Sequence, residues 1–327
     1  MSEHPERVSH PVASPSVAVL APAPLLTITI EAGAEQEEVH LHPGGQGVWI
    51  ARLLASLDID VVLCASFGGE SGSVVQALVA QWDFDLRAVQ AAGANGVYVH
   101  DRRSGTRLPI AETDAARRTR HEVDELYGTA VVAGIHAGTV VLGGPETSAM
   151  ARGDVPELIP TEAYTRLARD LRANSVTVVA DLSGPTLDAA VRGGLDLVKV
   201  SDEDLLACGD VEETSVDALL AAARRLASDG AEAVVVTRAE RPALVLIDGT
   251  PHEIHTPHLD PVDPRGAGDS FTAGMVSALA RGSSLADAVR LGSAAGTLNV
   301  ARRGMGSGSR REIELFAHHV TITEMDR

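Results

Sequence analysis

The segment Asp263-Pro264-Arg265-Gly266-Ala267-Gly268-Asp269-Ser270-Phe271 sets two glycines and an alanine directly before a carboxylate, and an apolar helical pattern (Phe271, Met275, Ala278, Leu279) begins at once. Glycines at a loop-to-helix junction let successive backbone N–H groups converge, and the helix N-terminus adds a partial positive charge. Such a turn receives anionic phosphate oxygens. A carboxylate at its rim repels the same anion, so Asp269 makes chemical sense as a base that takes a proton from an attacking hydroxyl. Phosphoryl transfer to an alcohol needs both parts. The plainer reading of these residues is a tight turn in which Asp269 only caps the helix.

Such a turn needs a rigid frame. After a tail expected to be disordered through residue 20, apolar β-type runs alternate with helical patterns. Leu25–Glu31, Val61–Ser66, Thr139–Leu142, Val176–Asp181, Leu195–Val200, Ala233–Thr237 and Leu244–Asp248 read as strands. Most are continuous Val, Ile and Leu runs, as expected of strands buried on both faces of a parallel sheet. Ile50, Leu53, Leu54 and Leu57 recur at helical spacing, as do Val216, Leu219, Leu220 and Ala223, with Thr214 and Ser215 available as caps. Segments 34–42 and 94–109 break the rhythm, the second alternating around Ser104-Gly105 like a two-stranded flap. The pattern predicts a doubly wound, mostly parallel α/β sheet carrying a small β lid. The folded unit is expected over 21–320, with short tails at 1–20 and 321–327.

Composition narrows the partners. The chain has 327 residues and a formal net charge of −18, which argues against a nucleic-acid surface. Anionic substrates remain possible, since they need only local positive groups. Cys64 and Cys208 are far apart and form no metal or disulfide pattern. No signal-peptide pattern and no membrane-spanning apolar run is present, so a cytoplasmic protein is expected. Lys199 is the only lysine among 27 basic residues, and no GxxxxGK[ST] surrounds it, which excludes P-loop chemistry.

The segment from Asp263, together with Gly44-Gly45-Gln46-Gly47, resembles the ribokinase-like PfkB family of carbohydrate kinases. The run Gly44–Gly69 is similar to the whole first signature of that family, and the likeness extends from about Leu25 to Gly308. The branch most similar holds the 1-phosphofructokinases, minor 6-phosphofructokinases and tagatose-6-phosphate kinases. The resemblance implies an ATP-dependent kinase with magnesium, and a monovalent cation such as potassium, acting on a sugar or sugar phosphate. It implies Asp269 as base, and Gly266, Ala267 and Gly268 as the anion hole. Lys199, Thr237 and Asn299 fall at nucleotide positions, Gly44 and Gly45 near the sugar, and Asp204 at the magnesium-ordering carboxylate. Asp263 falls where a monovalent cation is supported. Lids of the family sometimes pair, which would make a homodimer.

Several positions depart from the family pattern. Trp49 stands where the sugar-binding asparagine is expected, either as pocket wall or as core filling. The sugar-binding aspartate aligns with Glu35, the sugar-phosphate arginine with Gly93 ahead of Asn95, and the serine-rich S-G-S-L-P loop with Leu142-Gly143-Gly144-Pro145-Glu146. Arg102, Arg103 and Arg107 become the phosphate-binding candidates, with a solvated charged hairpin as the competing reading for the first two. On the nucleotide side N-x-x-E becomes Ser201-Asp202-Glu203-Asp204, and the glycine loop becomes Thr237-Arg238-Ala239-Glu240-Arg241-Pro242. Clustered losses of this kind leave open a PfkB-fold protein that binds a nucleotide or metabolite as a regulator. A nucleoside acceptor stacked on Trp49 is a third possibility.

Overall fold

The protein is described here by a computed structural model covering residues 14–144, 157–302, 306 and 308–325. Its strands are β1 (Ser16–Ala21), β2 (Leu25–Ala32), β3 (Glu37–Gly44), β4 (Asp60–Gly68), β5 (Asp85–Ala91), β6 (Val97–Asp101), β7 (Leu108–Thr113), β8 (Thr139–Gly143), β9 (Thr177–Asp181), β10 (Leu195–Ser201), β11 (Ala231–Arg238), β12 (Arg241–Ile247), β13 (Thr250–His255) and β14 (Thr321–Glu324). The described helices are α1 (Gln46–Ser56), α2 (Gly69–Val79), α3 (Arg120–Ala137), α4 (Thr161–Ala173), α5 (Gly184–Gly193), α6 (Asp202–Ala207), α7 (Val216–Asp229), α8 (Ala267–Ala280), α9 (Leu285–Val300) and α10 (Arg310–Ala317).

Ten strands form the main sheet in the order β14-β13-β12-β11-β10-β9-β8-β1-β4-β5. From β11 to β5 every neighbouring pair is parallel, and the other edge is antiparallel. The chain winds outward in both directions from β1, so the crevice between β1 and β8 is the topological switch point, where α/β sheets bind ligands. Strand β1 shows why its sequence is continuously apolar. Val17, Val19 and Ala21 enter the core under α1, α8 and α9, while Ala18 and Leu20 enter the opposite core under α3, α4 and α5.

Two expected boundaries are corrected by these strands. Residues 16–20, expected to lie in a disordered tail, form the buried central strand, and 321–324, expected to be a terminal tail, pair with β13. Leu25–Ala32 also leaves the main sheet. It joins β3, β6 and β7 in a second sheet, ordered β3-β2-β6-β7, which is the lid. The lid therefore begins nine residues before position 34 and includes the whole of β2 and β7.

Candidate active site

Helix α8 supplies the floor of a cleft of about 530 Å³ at the switch point. Its cap, Gly266, has φ 68°, a left-handed conformation that glycine adopts without Cβ strain. The first N–H groups after that cap have no partner inside the helix, so the turn over Ala267 and Gly268 has the geometry an anion would need. Glycine at 268 is required from below as well. A Cβ there would stand 2.8 Å from Lys199 Nζ.

Lys199 rises from β10 beneath the turn and is 4% exposed. Its ammonium lies 3.1 Å from Asp181 Oδ1 at the end of β9, and Asp181 Oδ2 accepts the Thr272 hydroxyl of α8 at 2.5 Å. One ion pair thus ties three elements together under the anion site. Burial works against the Lys199 charge, but Asp181, Asp269 and Asp204 outweigh it and hold the ammonium above its ordinary range. Asp269 itself lines the cleft. Burial first, and then repulsion from Asp181, push its carboxyl up to about 7, with Lys199 pulling the other way. The result is a carboxylate poised to exchange a proton near neutrality.

The far side of the floor comes from β10 and α6. Ser201 caps α6, accepting the Asp204 N–H at 3.0 Å and donating its hydroxyl to Asp204 Oδ2 at 2.5 Å, so the Asp204 carboxylate is fixed at the cleft wall. Asp202 is turned away and bonds Arg241. Asp263 accepts the Arg265 N–H at 3.2 Å and lies 3.7 Å from Arg102 of the lid, which also approaches Glu31 at 3.9 Å.

The lid forms the opposite wall. Successive side chains of a strand point to opposite faces, so Leu25, Thr27, Thr29 and Glu31 of β2 line the cleft together. Glu35 does not join them. It sits in the exposed turn that reverses β2 into β3, closed by a Gly33 N–H to Gln36 carbonyl bond of 3.1 Å, and Glu31 is the β2 carboxylate in the cleft. His42, Tyr98, His100 and Arg107 complete this wall. Arg103 pairs with Asp101 and Glu37 on the exposed hairpin, whereas Arg102 faces the cleft.

At the start of α1, Gly45 lines the cleft with φ 103°. Gly44 is a packing position, since a Cβ there would reach within 2.6 Å of Thr27 Oγ1. Trp49 is 8% exposed and serves both as core and as wall. Its ring tilts against Trp82 with centroids 6.0 Å apart, and the Arg52 guanidinium sits 5.6 Å and 4.9 Å from the two ring centres.

No side chain fits at position 93, because a Cβ there would stand 2.5 Å from Ala116 Cβ. Asn95 is buried and braces the lid base, donating to the Pro24 and Ser66 carbonyls and accepting from Gly68 N–H and Arg118. Gly144 reaches the cleft, while Pro145 and Glu146 lie outside the described residues.

Thr237, expected at the nucleotide, is the penultimate residue of β11, with its hydroxyl 3.4 Å from the Val200 carbonyl. The glycine loop is replaced by a tight β11–β12 turn through Ala239, at φ 48°, and Arg238 is buried 3.6 Å from Glu253. Asn299 donates to the Arg265 carbonyl at 2.6 Å and so holds the loop before α8 against α9. Sequence reasoning gave no role to Asp181, Arg52, Arg265, His42 or His100. Only Asp181 carried a signal, as the lone carboxylate closing an apolar strand.

A phosphate turn, a poised carboxylate and a lid over the switch point match one family. The pfkB family carbohydrate kinase model matches residues 25–312. The chain belongs to the PfkB family. It is a kinase that phosphorylates an alcohol group of a carbohydrate. It is 29% identical over 286 residues to an ATP-dependent 6-phosphofructokinase isozyme 2 of Mycobacterium tuberculosis, covering 84% of this chain and 78% of the relative. A 1-phosphofructokinase of Bacillus subtilis is 23% identical over 269 residues, covering 81% and 84%. The PfkB fold is also seen in Escherichia coli phosphofructokinase-2, with TM-score 0.79, 24% identity, and 93% and 98% of the two chains covered. Among the described residues, no helix is long and apolar enough to cross a membrane.

Proposed function

We propose that the protein transfers the γ-phosphoryl group of ATP to a hydroxyl of a sugar phosphate, as a phosphofructokinase-like kinase with Asp269 as base. The observation that carries this reading is Asp269 itself, a cleft carboxylate with its pKa near 7 beside the Gly266–Gly268 turn. The acceptor hydroxyl gives its proton to Asp269 as its oxygen bonds to the γ-phosphorus. The bond from that phosphorus to the bridging oxygen of ADP then breaks, and the N–H groups of Ala267 and Gly268 hold the transferring oxygens.

Arg52, Arg107 and Arg265 concentrate positive charge in the cleft of a strongly acidic chain. That arrangement favours a phosphorylated acceptor over a free sugar. Magnesium binds through one or two carboxylates plus substrate phosphates, and Asp204, fixed by Ser201, fits that role. It would neutralise charge on the phosphates. Thr237 and Asn299 stand on the nucleotide side. Potassium beside Asp263 belongs to the same reading, by likeness to the E. coli phosphofructokinase-2 that was crystallised in complex with potassium, and Arg102 would compete with it for that carboxylate.

The lid turns Val39, Leu41, Leu108 and Ile110 toward solvent, with Leu108 53% and Ile110 55% exposed. This apolar face supports a lid-to-lid homodimer. The deciding experiment is ADP release from MgATP with fructose 6-phosphate, fructose 1-phosphate, tagatose 6-phosphate and the unphosphorylated sugars. Turnover with a sugar phosphate and none with the free sugars is expected. Silence across the panel, alongside thermal stabilisation by ATP, would favour a nucleotide-binding regulator.

A further inference from the structure

Histidine 100 lies on β6 within the lid wall, directly opposite Thr29 in the parallel β2–β6 register, and is 2% exposed. Its Nε2 lies 3.1 Å from Thr29 Oγ1, and its Nδ1 lies 3.1 Å from the NH2 of Arg107. Both side chains share a platform. The Tyr98 and His100 rings stack with centroids 5.2 Å apart, and the Arg107 guanidinium carbon stands 4.8 Å from the centre of the Tyr98 ring.

Guanidinium donates hydrogen bonds and cannot accept them. The contact from Arg107 therefore requires a bare Nδ1, which leaves the single ring proton on Nε2, directed at the Thr29 hydroxyl. We propose that His100 is a positioning residue that works only as this neutral tautomer, its Nδ1 aiming Arg107 at the anionic group of the acceptor. Protonation of Nδ1 would set two donors against each other and release the guanidinium.

The surroundings oppose that protonation. The polar and charged groups that line this part of the cleft with His100 are Thr29 and Glu31 from β2, His42 from β3, Tyr98 and Arg102 from β6 and the turn after it, Arg107 before β7, Glu112 in β7, and Arg265 from the loop before α8. Burial first, then Arg265, Arg102 and His42, hold the His100 pKa below its ordinary value. Arg107 gains from the restraint in turn. Its Nε is buried with no hydrogen-bond partner among the described residues, so the NH2 contact with His100 is its fixed point.

This inference rests on the reading of the cleft as a sugar-phosphate site, and its test separates the two. Long-range proton–nitrogen NMR of the whole protein, with the His100 signals assigned by their loss in His100→Asn, reads the tautomer without any substrate. The Nε2–H form is expected to persist as the pH falls below the ordinary histidine value of 6.5. An Nδ1–H form, or titration at the ordinary value, overturns the proposal whether or not the protein is a kinase.

Affinities for inorganic phosphate and fructose 6-phosphate then read the consequence. His100→Leu should weaken both about tenfold, the scale of one lost charge-assisted hydrogen bond, while kcat with any accepted sugar phosphate stays within about twofold. His100→Asn puts a non-titrating acceptor near the position of Nδ1. It should restore affinity to within about threefold and leave only the acid-side weakening that comes from protonation of the phosphate itself. Equal losses in both variants, or tighter binding by the wild type as the pH falls, would show that His100 does not aim Arg107.

Discussion

The two walls of the cleft are built on opposite plans. Beneath the phosphate turn, charge is buried and bound on every side: Lys199 to Asp181, Asp181 to Thr272, and Asp269 in the field of both. On the lid, charge sits on long side chains fanned from strands and turns. Arg102 makes ion pairs of 3.7 and 3.9 Å, and Arg107 rests on one ring nitrogen of His100 and on the Tyr98 ring. Charge that develops on a transferring phosphoryl group needs fixed dipoles already in place. Recognition of an acceptor needs only a suitable sign and reach, so a wall of arginines and histidines can do it with different residues from different strands.

The sharpest way to break this contrast is at Asp269. Asp269→Asn keeps the shape and removes the base, so kcat should fall by about a thousandfold or more while ATP affinity stays nearly unchanged, measured by single-turnover kinetics and calorimetry. Equal loss of both would make the residue structural. In the wild-type protein the same group predicts an acid limb. Its folded pKa is raised to about 7, so the base is unloaded below that pH, and kcat/KM should climb as pH rises through it. The sign for stability is opposite. A raised carboxyl favours the protonated folded state, so Asp269 costs stability above pH 7, and Asp269→Asn should melt higher there.

A second variant tests whether the floor is one unit. Lys199→Met leaves Asp181 buried without its counter-charge and should cost about 3 to 5 kcal/mol in denaturant unfolding, with loss of activity. A cost below about 1 kcal/mol would mean that Asp181 simply takes up a proton and that the ion pair is not what organises the floor. The lid should respond more gently. Arg107→Gln is expected to raise the acceptor KM roughly tenfold with little change in kcat or melting temperature. A large fall in kcat would erase the distinction between the walls.

What the sequence could disclose follows the same division. The anion turn and Asp269 are legible because their geometry is encoded in consecutive residues: glycine at 266 for the left-handed cap, glycine at 268 for close approach. The Asp181–Lys199–Thr272 floor is not legible, since Thr272 stands 91 residues from its partner and only the sheet order brings them together. Glu35 and Glu31 show the limit within a single strand. Both are carboxylates near the end of β2, and the alternation that begins at Leu25 selects Glu31 for the cleft while the turn carries Glu35 out. Strand β1 was hidden for a different reason. Its short apolar run lies between a polar N-terminal segment and Pro22-Ala23-Pro24, and only pairing with both β4 and β8 reveals it as the centre of the fold.

Lys199 has a consequence outside catalysis. It is the only lysine of the chain, and its amine is held as an ammonium in the dark beneath Gly268. Apart from the α-amino group, the folded protein therefore offers acylating reagents no accessible amine at all. Any amide such a reagent leaves on a lysine side chain must have formed while the phosphate floor was open, which makes this one nitrogen a built-in clock for the opening of the active site.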